Sequence, residues 1–318
     1  MTSYVALHQF YVVDNMITYS KLGYHGRLGN QMFQYAALVG IADRIGCPYG
    51  INYQNSQKTR VINKLVGAEK LELLEAFDLS AENIEEQFQP SNHYREKQFI
   101  FEPSIFKIKP DTDISGCFQS EKYFQHCSDK IRSEFQFKYY IKEEAERQIN
   151  LLKDEHQLVS IHIRRGDYVK QKFYHPVCSL SYYSKAITIF KDSKFVIFSD
   201  DIPWCQQYFF ADNFIYVTGN NQFVDLCMMS LCDHHILANS SFSWWGAWLN
   251  PNLDKIVVAP KRWFGLAWGH NTKDLYGQKW RIIGSWFDYL EYYFCQLLLI
   301  LGIRQMLNDF FISFYFRE

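Results

Sequence analysis

Apolar and polar positions follow two rhythms along this chain, and the second half is the more regular. Leu158 to Arg165 (LVSIHIRR) is an apolar run that ends in charge, which predicts a buried strand. Ser179 to Phe190 (SLSYYSKAITIF) repeats at helical spacing, with Ser179 as its cap. KFVIFSDD (Lys194 to Asp201) predicts a strand ending in acids, NFIYVTG a strand, and FVDLCMMSLC a helix. HHILANSS is a strand, FSWWGAWLN a helix stopped at Pro251, and KIVVAP (Lys255 to Pro260) a last strand. Strands alternating with helices over short links predict a parallel sheet covered by helices. Ligands of such sheets sit at the carboxyl ends of the strands, so IRRGDY, FSDD and ANSS are the expected ligand loops.

The first half is less regular. Lys21 to Gly46 reads as a glycine-rich turn, with Gly23, Gly26 and Gly29, opening a helix. Phe33, Ala36, Ala37, Gly40 and Ile41 recur on it at helical spacing, and the small side chains among them predict close packing against a sheet. Asn52 to Pro110 is polar and irregular. Ile114 to Phe124 predicts a strand end, a turn and a helix start, and Tyr139 to Leu152 a helix.

Composition narrows the classes. Of 318 residues, 33 are Lys or Arg and 34 are Asp or Glu, a net charge of −1, which gives no electrostatic case for nucleic-acid binding. A hydrophobic fraction of 48% excludes wholesale disorder. The eight cysteines form no CxxC pair, so reduced, mostly buried thiols are expected rather than disulfides or structural zinc. The leader before Met16 fits neither a signal peptide nor a spanning helix. The apolar run Leu297 to Ile303 is far short of the ~20 residues that cross a bilayer. The aromatic tail around it admits two readings: a helix packed on the body, or a helix for a membrane surface or a partner.

Four segments carry candidate chemistry. In HIRRGDY, Arg164 and Arg165 leave a strand end together, and guanidinium forks suit phosphate oxygens. The competing reading is a structural ion pair with Asp167. In ANSSFSWW, Asn239, Ser240 and Ser241 open a helix, either as an anion site or as a plain cap. Ser199, Asp200 and Asp201 in FSDD can accept from ribose or base, hold a metal, or sit solvated. GRLGNQ lets backbone approach a ligand at a helix start. Apart from these, Asp111-Thr112-Asp113 matches the short DxD of metal-dependent glycosyltransferases. P-loop, GxGxxG, HExxH and GxSxG motifs are absent.

Taken together and in order, GRLGNQMFQYA, FQSEKYF, HIRRGDY, FSDD and SSFSWWGAWL resemble the alpha-1,2-fucosyltransferase family, from about Gly23 to Trp263. The resemblance implies an α/β fold of the GT-B type, two Rossmann-like domains with the donor cleft between them. It implies an acceptor-side domain over 1–157, a GDP-fucose-binding domain over 158–286, and a separate tail over 287–318. It assigns Arg164 or Arg165 to the β-phosphate and Ser240 and Ser241 to the pyrophosphate. Ser199, Asp200 or Asp201 would read ribose or guanine, and Gly29 and Asn30 would face the cleft from the other domain. His162 and Asn239 complete the donor loops. Asp167 is the first candidate for the base, with Glu121 and Asp225 as alternatives. Trp244, Trp245 and Trp248 would stack on sugar or pack in the core.

The implied reaction moves L-fucose from GDP-β-L-fucose to the 2-hydroxyl of a terminal β-galactose, with inversion and no metal. The expected protein is cytoplasmic, and a lipid-carried glycan acceptor would give its tail a purpose at the inner face of a membrane. Three alternatives stand beside this reading. They are another acceptor or linkage, a non-catalytic sugar-nucleotide or glycan-binding protein, and a metal-dependent transferase using Asp111 and Asp113.

Overall fold

The computed structural model describes residues 15–56, 60–63, 67–85, 88–265, 267–268 and 270–284. The expected tail over 287–318, with the Leu297 to Ile303 run, and nearly all of the leader lie outside the described residues.

Two parallel sheets organise the chain, as expected of a two-sheet α/β arrangement. The first holds β1 (Ile17–Tyr19), β2 (Tyr49–Ile51), β3 (Glu82–Asn83), β4 (Asn92–Arg95) and β5 (Thr112–Ser115), in the order β3-β2-β1-β5-β4. The second holds β6 (Gln157–Ile163), β7 (Ser193–Ser199), β8 (Phe214–Tyr216), β9 (His234–Ile236), β10 (Val257–Pro260) and β11 (Arg281–Ile283). Its order is β8-β7-β6-β9-β10-β11. In each sheet the chain fills one side of the first strand and then crosses to the other, which makes a switch point beside β1 in the first sheet and beside β6 in the second. At such switch points the loops leaving neighbouring strands part and open a crevice. The loops after β1 and β5 therefore face those after β6 and β9.

The strands that the sequence pattern misses are short. β1, β2, β3 and β11 have two or three residues each, too few for a period to register. The irregular stretch Asn52 to Pro110 contains β3, β4 and an antiparallel hairpin, Arg60–Asn63 with Gly67–Glu69.

Seven helices position the site. They are α1 (Leu28–Ile45), α2 (Tyr139–Leu152), α3 (Gly166–Lys170), α4 (Leu180–Ile187), α5 (Ile202–Tyr208), α6 (Gln222–Ser230) and α7 (Ser241–Leu249). Helix α1 joins the layers of the two sheets. It is buried on every face from Gln31 through Ala42, because it lies between the first sheet and α7. Phe33 meets Trp244 and Trp245 at 4.4 and 5.0 Å between ring centroids. A Cβ on Gly40 would come within 2.3 Å of the Tyr123 carbonyl, so only glycine admits this crossing.

Trp245 Nε1 donates to the Gly29 carbonyl at 3.0 Å, Trp244 Nε1 to Leu275 O at 2.7 Å, and Trp248 Nε1 to Glu121 at 2.8 Å. Of the two roles open to these tryptophans, core packing is the one they fill. Truncating a buried indole of this kind costs about 3–5 kcal/mol. Arg132 closes the far end of α7, donating to the carbonyls of Trp248 and Leu249. One hydrophobic core runs from Ile17 and Ile114 through α1 to Leu226 and Trp244. Helix α2 buries Ile141, Ala145 and Ile149 and packs on α6, so it leans on the second sheet's layer although it precedes residue 157.

Candidate functional site

A cleft of about 540 Å³ opens at the two facing switch points. Its walls are the loop after β1 (Gly26 to Asn30), Gln119 after β5, the loop after β6 (Arg164 to His175), Ser199 and Asp200 after β7, Asn239 to Phe242 after β9, and the loop after β10.

Arg164 is the charge at its centre. One side of the guanidinium donates to Asp167 and the other lies 2.7 Å from Asp200, with the Tyr168 ring 5.3 Å beneath. Asp200 also accepts from the backbone N–H groups of Arg165 and Gly166, at 2.8 and 3.1 Å, and so fixes the turn into α3. A Cβ at residue 166 would sit 2.6 Å from that carboxylate, which is why the motif carries glycine there. Arg165 turns the other way. Its Nε donates to Asp201 at 3.0 Å and its guanidinium covers the Trp204 ring at 4.0 Å. Asp201 in turn caps α5. Neither Arg165 nor Asp201 lines the cleft. The adjacent arginines thus divide their work: Arg164 faces the cavity, and Arg165 locks the loop from behind. Arg164 is thus paired on both sides with carboxylates and still lines the cleft.

Two helix N-termini converge beside it. Ser240 caps α7 by accepting from Phe242 N, and Ser241 Oγ donates to Asn30 Oδ1 at 2.7 Å across the cleft. Gln119 Nε2 gives the same Asn30 oxygen a second donor at 2.9 Å. With its oxygen doubly occupied, the Asn30 amide keeps its N–H groups for another partner. Gly29 lies directly against α7. Its missing Cβ would meet Phe242 N at 2.6 Å, so this glycine allows two helices to touch rather than a ligand to approach. Glu72 accepts from Leu28 N at 2.8 Å, at the start of α1, and from Gln222 Nε2 of α6 at 3.0 Å.

Asn239 is a brace. Its Nδ2 donates to the carbonyls of Pro176 and Trp263 at 2.8 and 2.9 Å, and Cys178 Sγ donates to its Oδ1. His162 lines the cleft with a buried Nδ1 that has no hydrogen-bond partner, and burial pushes its pKa down to about 3, so the ring is neutral. Asp225, in the first turn of α6, has one buried carboxylate oxygen without a partner, and burial raises its pKa to about 6.

Arg164, Asp167, Gly29, Asn30, His162, Ser199, Asp200, Asn239, Ser240 and Ser241 therefore share one cavity. Of the three residues expected to read ribose or guanine, Ser199 and Asp200 line the cleft, Asp200 paired with Arg164, while Asp201 pairs with Arg165 outside it. Of the other two base candidates, Glu121 is held by Trp248 outside the cleft, while Asp225 lines it. Asp113 accepts from Thr18 and Ser20, and Asp111 from Ser91 N, both away from the cavity. Among the described residues, the two side-chain groupings with metal-ligand spacing, Asp43–His126–Cys127 and Asp154–Glu155–His156, also lie outside it. Gln119 stands in the FQSEKYF segment, whereas Glu72 and the aromatic flank built by the loop after β10 carry no local signal in the chain, since their roles depend on distant partners.

The profile of glycosyl transferase family 11 matches residues 5–284. An alpha-1,2-colitosyltransferase of Escherichia coli is 33% identical over 276 residues, covering 75% of this chain and 90% of that protein. Galactoside alpha-(1,2)-fucosyltransferase 1 of Leontocebus fuscicollis is 26% identical over 245 residues, 70% of this chain and 63% of that one. A crystal structure of the alpha-1,6-fucosyltransferase NodZ soaked with GDP-fucose superposes with a TM-score of 0.48 at 13% identity, over 75% of this chain and 93% of that chain.

Proposed function

This chain belongs to glycosyl transferase family 11, and from that premise we propose that it moves L-fucose from GDP-β-L-fucose to the 2-hydroxyl of a terminal β-galactoside. The observation that carries this reading is Arg164, pre-oriented at the second sheet's switch point with the Asn30 amide and the start of α7 beside it.

The chemistry follows from that placement. The galactose 2-oxygen attacks the anomeric carbon, the bond to the β-phosphate oxygen breaks, and GDP leaves with an added negative charge. Inversion turns the β donor linkage into an α-1,2 product. Arg164, the Asn30 N–H groups and the α7 N-terminus are donors suited to that charge, so we assign no metal to the reaction. Asp167 Oδ1 is held by Arg164, and its Oδ2, 3.9 Å from Arg27, is our assignment for the hydroxyl proton. On the flank beyond β7, the half-satisfied carboxylate of Asp225 matches the paired N–H donors on one edge of guanine.

GDP release from GDP-fucose, measured with lactose and with or without EDTA, tests this reading. Acceptor-stimulated, EDTA-insensitive release with an α-1,2 product is expected. Release abolished by EDTA, or a different linkage, would overturn it. A second reading keeps the fold and linkage but changes the sugar, since the relative at 33% identity is named a colitosyltransferase. Preference for GDP-colitose over GDP-fucose in the same assay would favour that reading.

A further inference from the structure

One flank of the cleft has no part in the donor chemistry above. It begins where Arg164 ends: Tyr168, beneath that guanidinium, stacks on His175 at 4.7 Å with 17° between planes. His175 meets Trp268 at 6.1 Å, Trp268 stacks on His270 at 5.1 Å, and His270 stacks on Phe99 at 4.6 Å and 18°. Phe264 closes the row edge-on against Phe99 at 4.7 Å. These rings come from three separate segments: the loop after β6, the loop after β10, and the stretch between β4 and β5. All of them line the cleft.

Three features make this row a binding surface rather than core. Trp268 remains 46% exposed although it contacts Tyr174, His175 and His270. Burial holds both His175 and His270 below the ordinary imidazole pKa, so the wall is uncharged at neutral pH. The row also continues directly from the reacting end, on the β10 side of the sheet, opposite the β7 side that carries Ser199. An uncharged aromatic wall with an open indole suits the apolar C–H face of a pyranose, which buries carbon against the ring and leaves its hydroxyls at the edge.

We propose that Trp268, with His270, Phe99 and Phe264 behind it, is the platform on which the terminal sugar ring of the acceptor glycan stacks. The assignment rests on the glycosyltransferase reading. It takes the acceptor rather than the donor sugar as occupant because the departing phosphate is assigned above to Arg164, whose guanidinium covers Tyr168 at the inner end of the row and not Trp268.

Trp268→Ala and Trp268→Phe in the full chain test it by two readouts. In turnover, Trp268→Ala is expected to raise the KM for lactose about tenfold, the scale of one lost ring contact, while the KM for GDP-fucose stays within about twofold. Trp268→Phe should recover most of the loss. A rise in the donor KM with an unchanged lactose KM would move the donor sugar onto the wall and overturn the assignment, as would no change in either. Saturation-transfer NMR with methyl β-galactoside in the presence of GDP is independent of turnover. Galactoside signals in the wild type that vanish in Trp268→Ala support the platform, and equal or absent signals in both overturn it. Absence of any turnover in the wild type would sink the proposed function, while the NMR comparison still decides the platform.

Discussion

At the anion end of the cleft, Arg164 is gripped by Asp167 and Asp200, and Asn30 by Ser241 and Gln119. At the aromatic end, Phe99, His175, Phe264, Trp268 and His270 touch one another through ring faces and edges. The first end pairs its central charge before a ligand arrives. That is what a largely buried guanidinium requires, because an unpaired charge there would cost several kcal/mol. It also holds the donors in place, so little reorganisation remains when charge develops. The second end has no such polar requirement and can leave Trp268 half in solvent. Strong, oriented groups are thus kept in pairs, while the uncharged aromatic surface is kept open.

The largest effect should come from Arg164→Ala at the anion end. It should lower kcat/KM by about 10²–10³-fold, the scale for losing one donor to a developing anion. Arg165→Ala, which removes contacts to Asp201 and Trp204, should cost about tenfold or less. Equal losses in steady-state kinetics would mean both arginines reach the phosphate. Next, Asp167→Asn should lower kcat by about 10²-fold if its carboxylate takes the hydroxyl proton. A change confined to the donor KM would instead make Asp167 a positioning group for Arg164.

Asp225→Asn should weaken GDP binding by about tenfold, the scale of a hydrogen bond to a charged group, and isothermal titration reads this directly. With its folded pKa raised to about 6, Asp225 protonates below that pH and loses an acceptor. GDP affinity should therefore fall as pH drops from 7 to 5 in the wild type and stay flat in Asp225→Asn. The same shift makes the ionised carboxylate a cost to the free protein above its folded pKa, relieved as pH falls. Asp225→Asn should accordingly raise the melting temperature at pH 7.5 more than at pH 5. Gly29→Ala acts on stability instead, since it pushes a methyl into the backbone at Ser241 and Phe242. Overpacking of this kind costs about 1–3 kcal/mol. It should weaken both ends of the cleft together, as thermal unfolding and the two KM values would show.

Much of the second sheet is legible in the chain. β6, β7 and β10 are apolar runs buried on both faces, and Ser179 and Ser240 cap helices as serines at such positions do. The first sheet is mostly illegible, since its strands of two to four residues leave no period to read. The site divides along the same line. HIRRGDY and ANSS are contiguous, and the rule that ligands gather at strand ends is enough to mark them.

Local residue order therefore settled the chemical types at the strand ends, the small face with Gly40 that admits close approach, and the alternation of strands and helices in the second half. Packing of the whole chain chose Arg164 rather than Arg165 to face the cavity, set Asp200 to hold a loop, and brought Phe99 to Trp268 through His270. Side-chain direction at a strand end depends on which carboxylate lies across the turn. A ring wall drawn from three distant segments exists only once the layers of the two sheets are joined through α1 and α7.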